Sequence, residues 1–230
     1  MTRMGRHPAL LAGVVTLLIT QPLLAYGSLA TRILFDGVLA AVLLGVVFII
    51  FERGWQRQLA LALVLPAFAV YLAYYVLPDR MRVASLLSFN TLMISFIGLA
   101  VAVILRDIFR KSVIRGGDVL GAVSGYLLSG IAWGNLYVVL QLLVPSSFAV
   151  QPEIAWQLQE RHLRHALFNF FSFATVTSLG YNDITPVTPL ANTLTWLEVI
   201  FGQFYMAVVV AQLVGMRLAQ AITPGGPESK

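Results

Sequence analysis

Cysteine is absent from the 230 residues, which excludes disulfides, thiol catalysis and cysteine metal sites. Charge is scarce as well: 11% of the residues are Asp, Glu, Lys or Arg, against 59% hydrophobic residues and a mean hydropathy of +0.84. A chain with so little polar surface cannot fold as a soluble globule and reads as a membrane protein. No His/Asp/Glu group has metal-ligand spacing, and no glycine-rich phosphate loop occurs. The formal charge of +5 would suit nucleic acid, but the basic residues sit mainly in short loops between apolar spans. That is the distribution of membrane topology, so nucleic acid is not expected as a partner.

Apolar runs are there in number. They lie at about 9–26, 33–51, 59–77, 83–105, 119–144 and 194–221, each near the roughly 20 residues that cross a hydrocarbon core. Arg3, Arg6 and His7 precede the first run, which is long enough to be a span rather than a cleaved leader. With the N-terminus inside, cytoplasmic segments hold Arg3, Arg6, Arg53, Arg57, Arg106, Arg110, Lys111, Arg115, Arg217 and Lys230. The outside holds Arg32, Arg80, Arg82, Arg161 and Arg164. This bias predicts that both termini are cytoplasmic in a multi-pass protein of the plasma membrane. Residues 106–118 form a basic linker that anchors topology or lies along the lipid surface.

The fourth run, 83–105, contains no Lys, Arg, Asp, Glu or His. Voltage sensing needs several charges within the membrane field, so none is expected here. Arg80, Arg82 and Arg106 only flank the run, and Ser85, Ser88, Asn90, Thr91 and Ser95 are expected to pack against neighbouring helices. Pro66 is expected to kink the third span.

Between the fifth and sixth runs, a short amphipathic helix over about 163–177 leads into Thr175-Val176-Thr177-Ser178-Leu179-Gly180-Tyr181-Asn182-Asp183-Ile184-Thr185-Pro186. This loop resembles the selectivity filter of the potassium channel family, whose Thr-Val-Gly-Tyr-Gly-Asp pattern lies between a pore helix and the last transmembrane helix. The resemblance covers about 119–220 and is weak before that. It implies an all-α membrane protein of six transmembrane helices, with a re-entrant pore helix and filter loop between the fifth and sixth. The expected division is a four-helix domain at 1–105 resembling a voltage sensor without gating charges, the linker at 106–118, a pore domain at 119–221 and a polar tail at 222–230.

Alignment on Gly180-Tyr181 and Asp183 places the filter at Ser178, Leu179, Gly180, Tyr181 and Asn182. Monovalent cations are then expected at Ser178, Leu179, Gly180 and Tyr181, where a ring of backbone carbonyls replaces their water. Turning each carbonyl inward sends alternate residues to positive φ, where the family uses glycine. Ser178 keeps a hydroxyl, Leu179 needs only its carbonyl, and Asn182 tolerates the left-handed region less freely than glycine. Thr177 and Asp183 are expected to support the loop. Phe170 and Phe171 stand where typical members carry tryptophans that reach the filter, and phenylalanine has no N–H to donate. Where some members place a glutamate behind the filter, this chain has Ala174. The resemblance implies K+ as the permeant ion, with a weakly selective or nonselective cation channel that also admits Na+ as the alternative; no cofactor is expected and no enzymatic activity.

In the last span the resemblance puts a hinge glycine at Gly202 and turns Gln203, Met206, Val210 and Val214 towards a water-filled cavity, at spacings that fit one helical face. Glu198 is the acidic residue well inside this span; it lies about 140° around the helix from Gln203 and is expected to hydrogen-bond the pore helix or filter backbone in place of the missing tryptophans. Gly121, Gly125, Gly130 and Gly134 form two Gly-xxx-Gly pairs suited to close helix contact. His162 and His165, beside Arg161 and Arg164, are candidates for proton sensitivity at the outer mouth. One chain supplies one filter strand, so the resemblance implies a homotetramer, with lipid and monovalent cations as its other partners. A rival of another class is a secondary transporter or membrane-embedded binding protein, but those place broken helices in two repeated halves, and no matching repeat is visible in the first half.

Overall fold

A computed structural model describes residues 6–25, 29–51, 53–111, 116–180 and 183–222. Seven helices follow the chain among these residues: α1 (Arg6–Ala25), α2 (Leu29–Ile50), α3 (Gly54–Ala73), α4 (Asp79–Arg110), α5 (Gly116–Leu143), α6 (Arg161–Val176) and α7 (Pro189–Ile222). Four of them are long and apolar enough to cross a membrane: Gly54–Ala73, Asp79–Arg110, Gly116–Leu143 and Pro189–Leu218. Shorter apolar stretches lie at His7–Gln21 and Asp36–Ile50, in the first two helices. The chain is an all-α membrane protein in its bulk. At 16 residues, α6 is about 24 Å long, too short to span a core of roughly 30 Å.

Helix ends differ from the sequence reading where polar residues continue a helix past the apolar run. Arg106–Arg110 forms the last turn of α4, and Gly116–Asp118 the first turn of α5. The 106–118 linker thus shrinks to the few residues between two helix ends. Asp79 in the first turn of α4 and Arg110 in its last oppose the helix dipole, which favours extending it beyond the hydrocarbon core. Lys111 binds the Asp118 carboxylate across the gap.

A two-stranded antiparallel ladder is the element the sequence did not announce. β1 (Phe148–Val150) pairs with β2 (Ile184–Pro186), with Phe148 opposite Pro186 and Val150 opposite Ile184. Phe148 and Ile184 are buried while Ala149 and Thr185 are exposed, so each strand turns its first residue to the core and its second outward. Beneath it lies a core of Tyr137, Leu140, Leu167, Phe168, Phe171 and Ala191. A larger core joins α1 to α5 and takes in Tyr205, Val209 and Leu213 from α7.

Close packing around α5 depends on its glycines. A Cβ on Gly134 would lie 2.1 Å from Asn169 Oδ1 and 3.1 Å from the Asn169 Cα, so only glycine lets α6 come this near. Gly130 meets Phe173 of α6, Gly125 meets Tyr205 of α7, and Gly121 meets His7 of α1. In α4, Ser85 donates to the Val70 carbonyl of α3 at 2.9 Å, whereas Ser95 bonds within its own helix.

Candidate functional site

The site is built where α6 ends. Its buried face, Leu163, Leu167, Phe168, Phe171, Ser172 and Thr175, recurs at three and four residues and docks the helix on α5. Each of its last four carbonyls has a partner. Phe173 accepts from the Thr177 amide (3.2 Å) and hydroxyl (2.6 Å), Ala174 from the Leu179 amide (2.7 Å), Thr175 from the Ser178 amide (2.9 Å), and Val176 from the Tyr126 hydroxyl (3.0 Å). The Leu179 and Ser178 bonds are the pair that closes a helix through a left-handed residue. That residue is Ser178, at φ 58°, and Gly180 follows at φ 73°. Positive φ thus recurs at alternate residues, Ser178 and Gly180, either side of Leu179.

Among the described residues, none donates a hydrogen bond to the carbonyls of Thr177, Ser178, Leu179 or Gly180. Leu179 is 63% exposed, with its side chain out of the core. Tyr181 and Asn182, the other two expected filter residues, lie outside the described residues. The chain is caught again at Asp183, whose carbonyl accepts from the Gln151 amide at 3.1 Å, and then by the β1–β2 ladder. Val187 N–H continues the register to the Ser147 carbonyl at 2.9 Å. No described residue donates to the Asp183 carboxylate.

α7 carries two faces behind and below the loop. Glu198, Gly202, Tyr205, Val209 and Leu213 are buried at spacings of three and four, against α5 and α6. Gln203, Met206, Val210 and Val214 share the exposed side, so the four expected cavity residues do lie on one face. Gln203 Nε2 donates to Ser178 Oγ at 3.0 Å, joining that face to the loop.

Gly202 is a packing residue in this arrangement. A Cβ there would stand 2.2 Å from the Val176 carbonyl oxygen and 3.1 Å from its carbon. α7 runs unbroken from Pro189 to Ile222 past this point, and the glycine lets it approach the end of α6 closely.

Glu198 is fully buried behind the loop. Its Oε1 lies 2.5 Å from Ser172 Oγ of α6 and its Oε2 2.5 Å from the Tyr137 hydroxyl of α5. Ser172 Oγ also reaches the Gly130 carbonyl at 2.7 Å. One carboxyl thereby ties α7 to both helices. The two phenylalanines that occupy the tryptophan positions diverge: Phe171 is buried against Tyr137 and Phe148, with ring centroids 5.1 and 5.5 Å apart, whereas Phe170 is exposed.

At the other end of α6 lie His162 and His165, the candidates for proton sensitivity, with Arg161 and Arg164. His165 Nε2 is 3.0 Å from Asn90 Oδ1 and its Nδ1 2.8 Å from the Arg161 carbonyl. Burial pushes the His165 pKa down from 6.5 to about 3, against the smaller opposing effect of the Arg161 carbonyl. Such an imidazole stays neutral across the physiological range, which removes His165 as a proton sensor there. Arg161 is buried beneath three tyrosines, and burial lowers its pKa. These contacts reach back some ninety residues to α3, and no sequence pattern announced them.

No curated protein and no solved structure matches the chain. Residues 164–217 match a family model described as an ion channel. That segment runs from the first turn of α6 through the loop to the last turns of α7, so the part of the chain that builds this site is similar to ion channels and supports passive ion conduction.

Proposed function

We propose that the protein is a potassium channel in which four copies of residues 178–182 form a carbonyl-lined filter on a fourfold axis. The observation that carries this reading is the run of carbonyls from Thr177 to Gly180 that have no partner among the described residues, on a backbone whose positive φ alternates at Ser178 and Gly180. A dehydrating cation needs oxygens that are fixed yet not committed elsewhere. The loop also begins at the C-terminus of α6, where the helix dipole concentrates partial negative charge and favours a cation over an anion. Below it, Gln203 and Ser178 offer amide and hydroxyl groups to an ion keeping part of its water.

In this reading six helices cross the plasma membrane, α6 enters and returns, and both termini are cytoplasmic, as the ten-to-five bias of basic residues favours. Ions pass by knock-on between adjacent sites and nothing covalent is catalysed. With no charge between residues 83 and 105, the first four helices do not drive opening by moving gating charges. Val210 and Val214, both on the exposed side of α7, would form an apolar constriction that closes by dewetting.

A weakly selective cation pore is the second reading, favoured by one observation: no described donor braces the Asp183 carboxylate. Reversal potentials of the reconstituted protein in mixed potassium and sodium test both. Potassium preference in the wild type, increased in Asn182→Gly, supports the first; equal permeation by the wild type establishes the second. Flux coupled to a saturating substrate would instead identify a transporter.

A further inference from the structure

Four polar residues of α6 share one face: Arg161, His165 and Asn169 recur every fourth position, and Ser172 falls within the same arc of about 80°. The first three each reach a different helix of the N-terminal four. Arg161 Nη1 donates to the Tyr71 carbonyl of α3 at 3.3 Å, and its guanidinium carbon lies 3.5, 4.7 and 5.6 Å from the ring centroids of Tyr71, Tyr74 and Tyr75. The Tyr71 hydroxyl in turn donates to Asp36 of α2. His165 Nε2 lies 3.0 Å from Asn90 Oδ1 of α4, and Asn169 Nδ2 donates to Gln21 Oε1 of α1 at 2.7 Å. Ser172, nearest the loop, turns instead to α5 and α7.

Packing alone does not fix α6 on this side. Arg161, His165 and Asn169, together with Tyr71 and Gln21, line a cavity of about 60 Å³. Over that part of the seam the dispersion contacts that lock close-packed helices are missing, so directional bonds across it set where α6 stands. Asn169 is held on two sides, its Oδ1 against Gly134 of α5 and its Nδ2 on α1. It precedes Thr177 by about two turns, roughly 12 Å along the axis. The amides of Thr177, Ser178 and Leu179 all bond back to carbonyls in the last turn of α6, so a displacement of the helix at Asn169 passes to the loop.

We propose that Gln21 and Asn169 are positioning residues for the filter loop: their hydrogen bond lets α1 hold α6 so that the loop's carbonyls keep the spacing that suits one ion. The effect on selectivity rests on the loop being the filter. The first four helices thereby gain a role that needs no gating charge, as a clamp on the helix that carries the loop.

Two measurements on the full chain test this. Hydrogen exchange in detergent micelles reads the amides of Thr177, Ser178 and Leu179, and reversal potentials in mixed potassium and sodium read the permeability ratio. Gln21→Met keeps the length of the side chain but removes the acceptor. It is expected to speed exchange of those amides about fivefold and to lower the potassium-to-sodium ratio by a similar factor, the equivalent of one net hydrogen bond. Asn169→Leu should do the same, and the double variant no more than either alone, because the bond is already lost. Ser85→Ala removes a hydrogen bond between α4 and α3 that does not involve α6, and should leave both readings as in wild type. If one single variant does not fold, the other carries the comparison against Ser85→Ala. Unchanged exchange, an equal response in Ser85→Ala, or faster exchange with an unaltered ratio in a potassium-preferring channel would overturn the proposal. Equal permeation of both ions by wild type, with exchange still faster in Gln21→Met, would overturn the filter reading and uphold the clamp.

Discussion

Glu198 and Gly202 stand one helical turn apart on the buried face of α7, and each holds the end of α6 by a different force. Glu198 supplies polar partners to Ser172 and Tyr137, both enclosed by protein. Removing the carboxyl in Glu198→Ala takes the close partner from the Tyr137 hydroxyl, leaves Ser172 with the Gly130 carbonyl alone and opens a gap, a loss of about 2–5 kcal/mol. Glu198→Gln keeps an acceptor for Tyr137 and a polar group near Ser172, so less than half that loss is expected. Thermal unfolding of the purified variants measures both, and an Ala variant as stable as wild type would remove Glu198 from any bracing role. Gly202→Ala acts through volume. Its methyl would meet the Val176 carbonyl at 2.2 Å, a backbone atom that cannot turn aside, so about 1–3 kcal/mol of overpacking is expected, together with altered flux from a displaced loop. Were Gly202 a hinge alone, the alanine variant would change gating and leave stability intact.

At the scale of the element, α6 presents its two ends to different chemistries, and its stability should report the difference. His165 is withdrawn from water with a pKa of about 3, below the 6.5 of an unfolded imidazole. Below pH 6.5 the unfolded chain therefore takes up a proton that the folded site refuses, and stability falls as pH drops from about 6.5 towards 3. The slope from this group approaches about 1.4 kcal/mol per pH unit, and His165→Gln should flatten that part of the stability profile. Helices such as α4 were legible in the sequence because an uncharged apolar run permits little else, and the exposed face of α7 followed from counting threes and fours. The three-residue strands β1 and β2 were not, because each is too short for a pattern, and their pairing joins residues some 36 apart. The cage around Arg161 was hidden for the same reason: Tyr71, Tyr74 and Tyr75 face it only after α3, α4 and α6 have packed. Cutting the ladder with Ala149→Pro tests what β1 does for the loop, since the strand's ties to residues 183–187 should weaken while helix content, read by circular dichroism, stays constant.

For the whole molecule the telling surface is α7. Of its apolar window 17% is buried, against 56% for α5, and Phe204, Met206, Val210 and Val214 are all exposed. Lipid could cover the apolar side chains, but Gln203 shares that side and, among the described residues, reaches only the Ser178 hydroxyl. In hydrocarbon its remaining amide groups would go unpaired, at several kcal/mol. Water enclosed by further copies of α7 would satisfy them, and so would a passing ion's hydration shell. A single loop also cannot surround an ion, whereas four related by a closed rotation can. Native mass spectrometry of the detergent-solubilised protein should therefore find four copies, and Gln203→Leu should keep that number while lowering potassium flux by at least about tenfold through the dried vestibule. A stable monomer would leave the loop's carbonyls without a pore to line, and unchanged flux in Gln203→Leu would place the conduction path away from this face of α7.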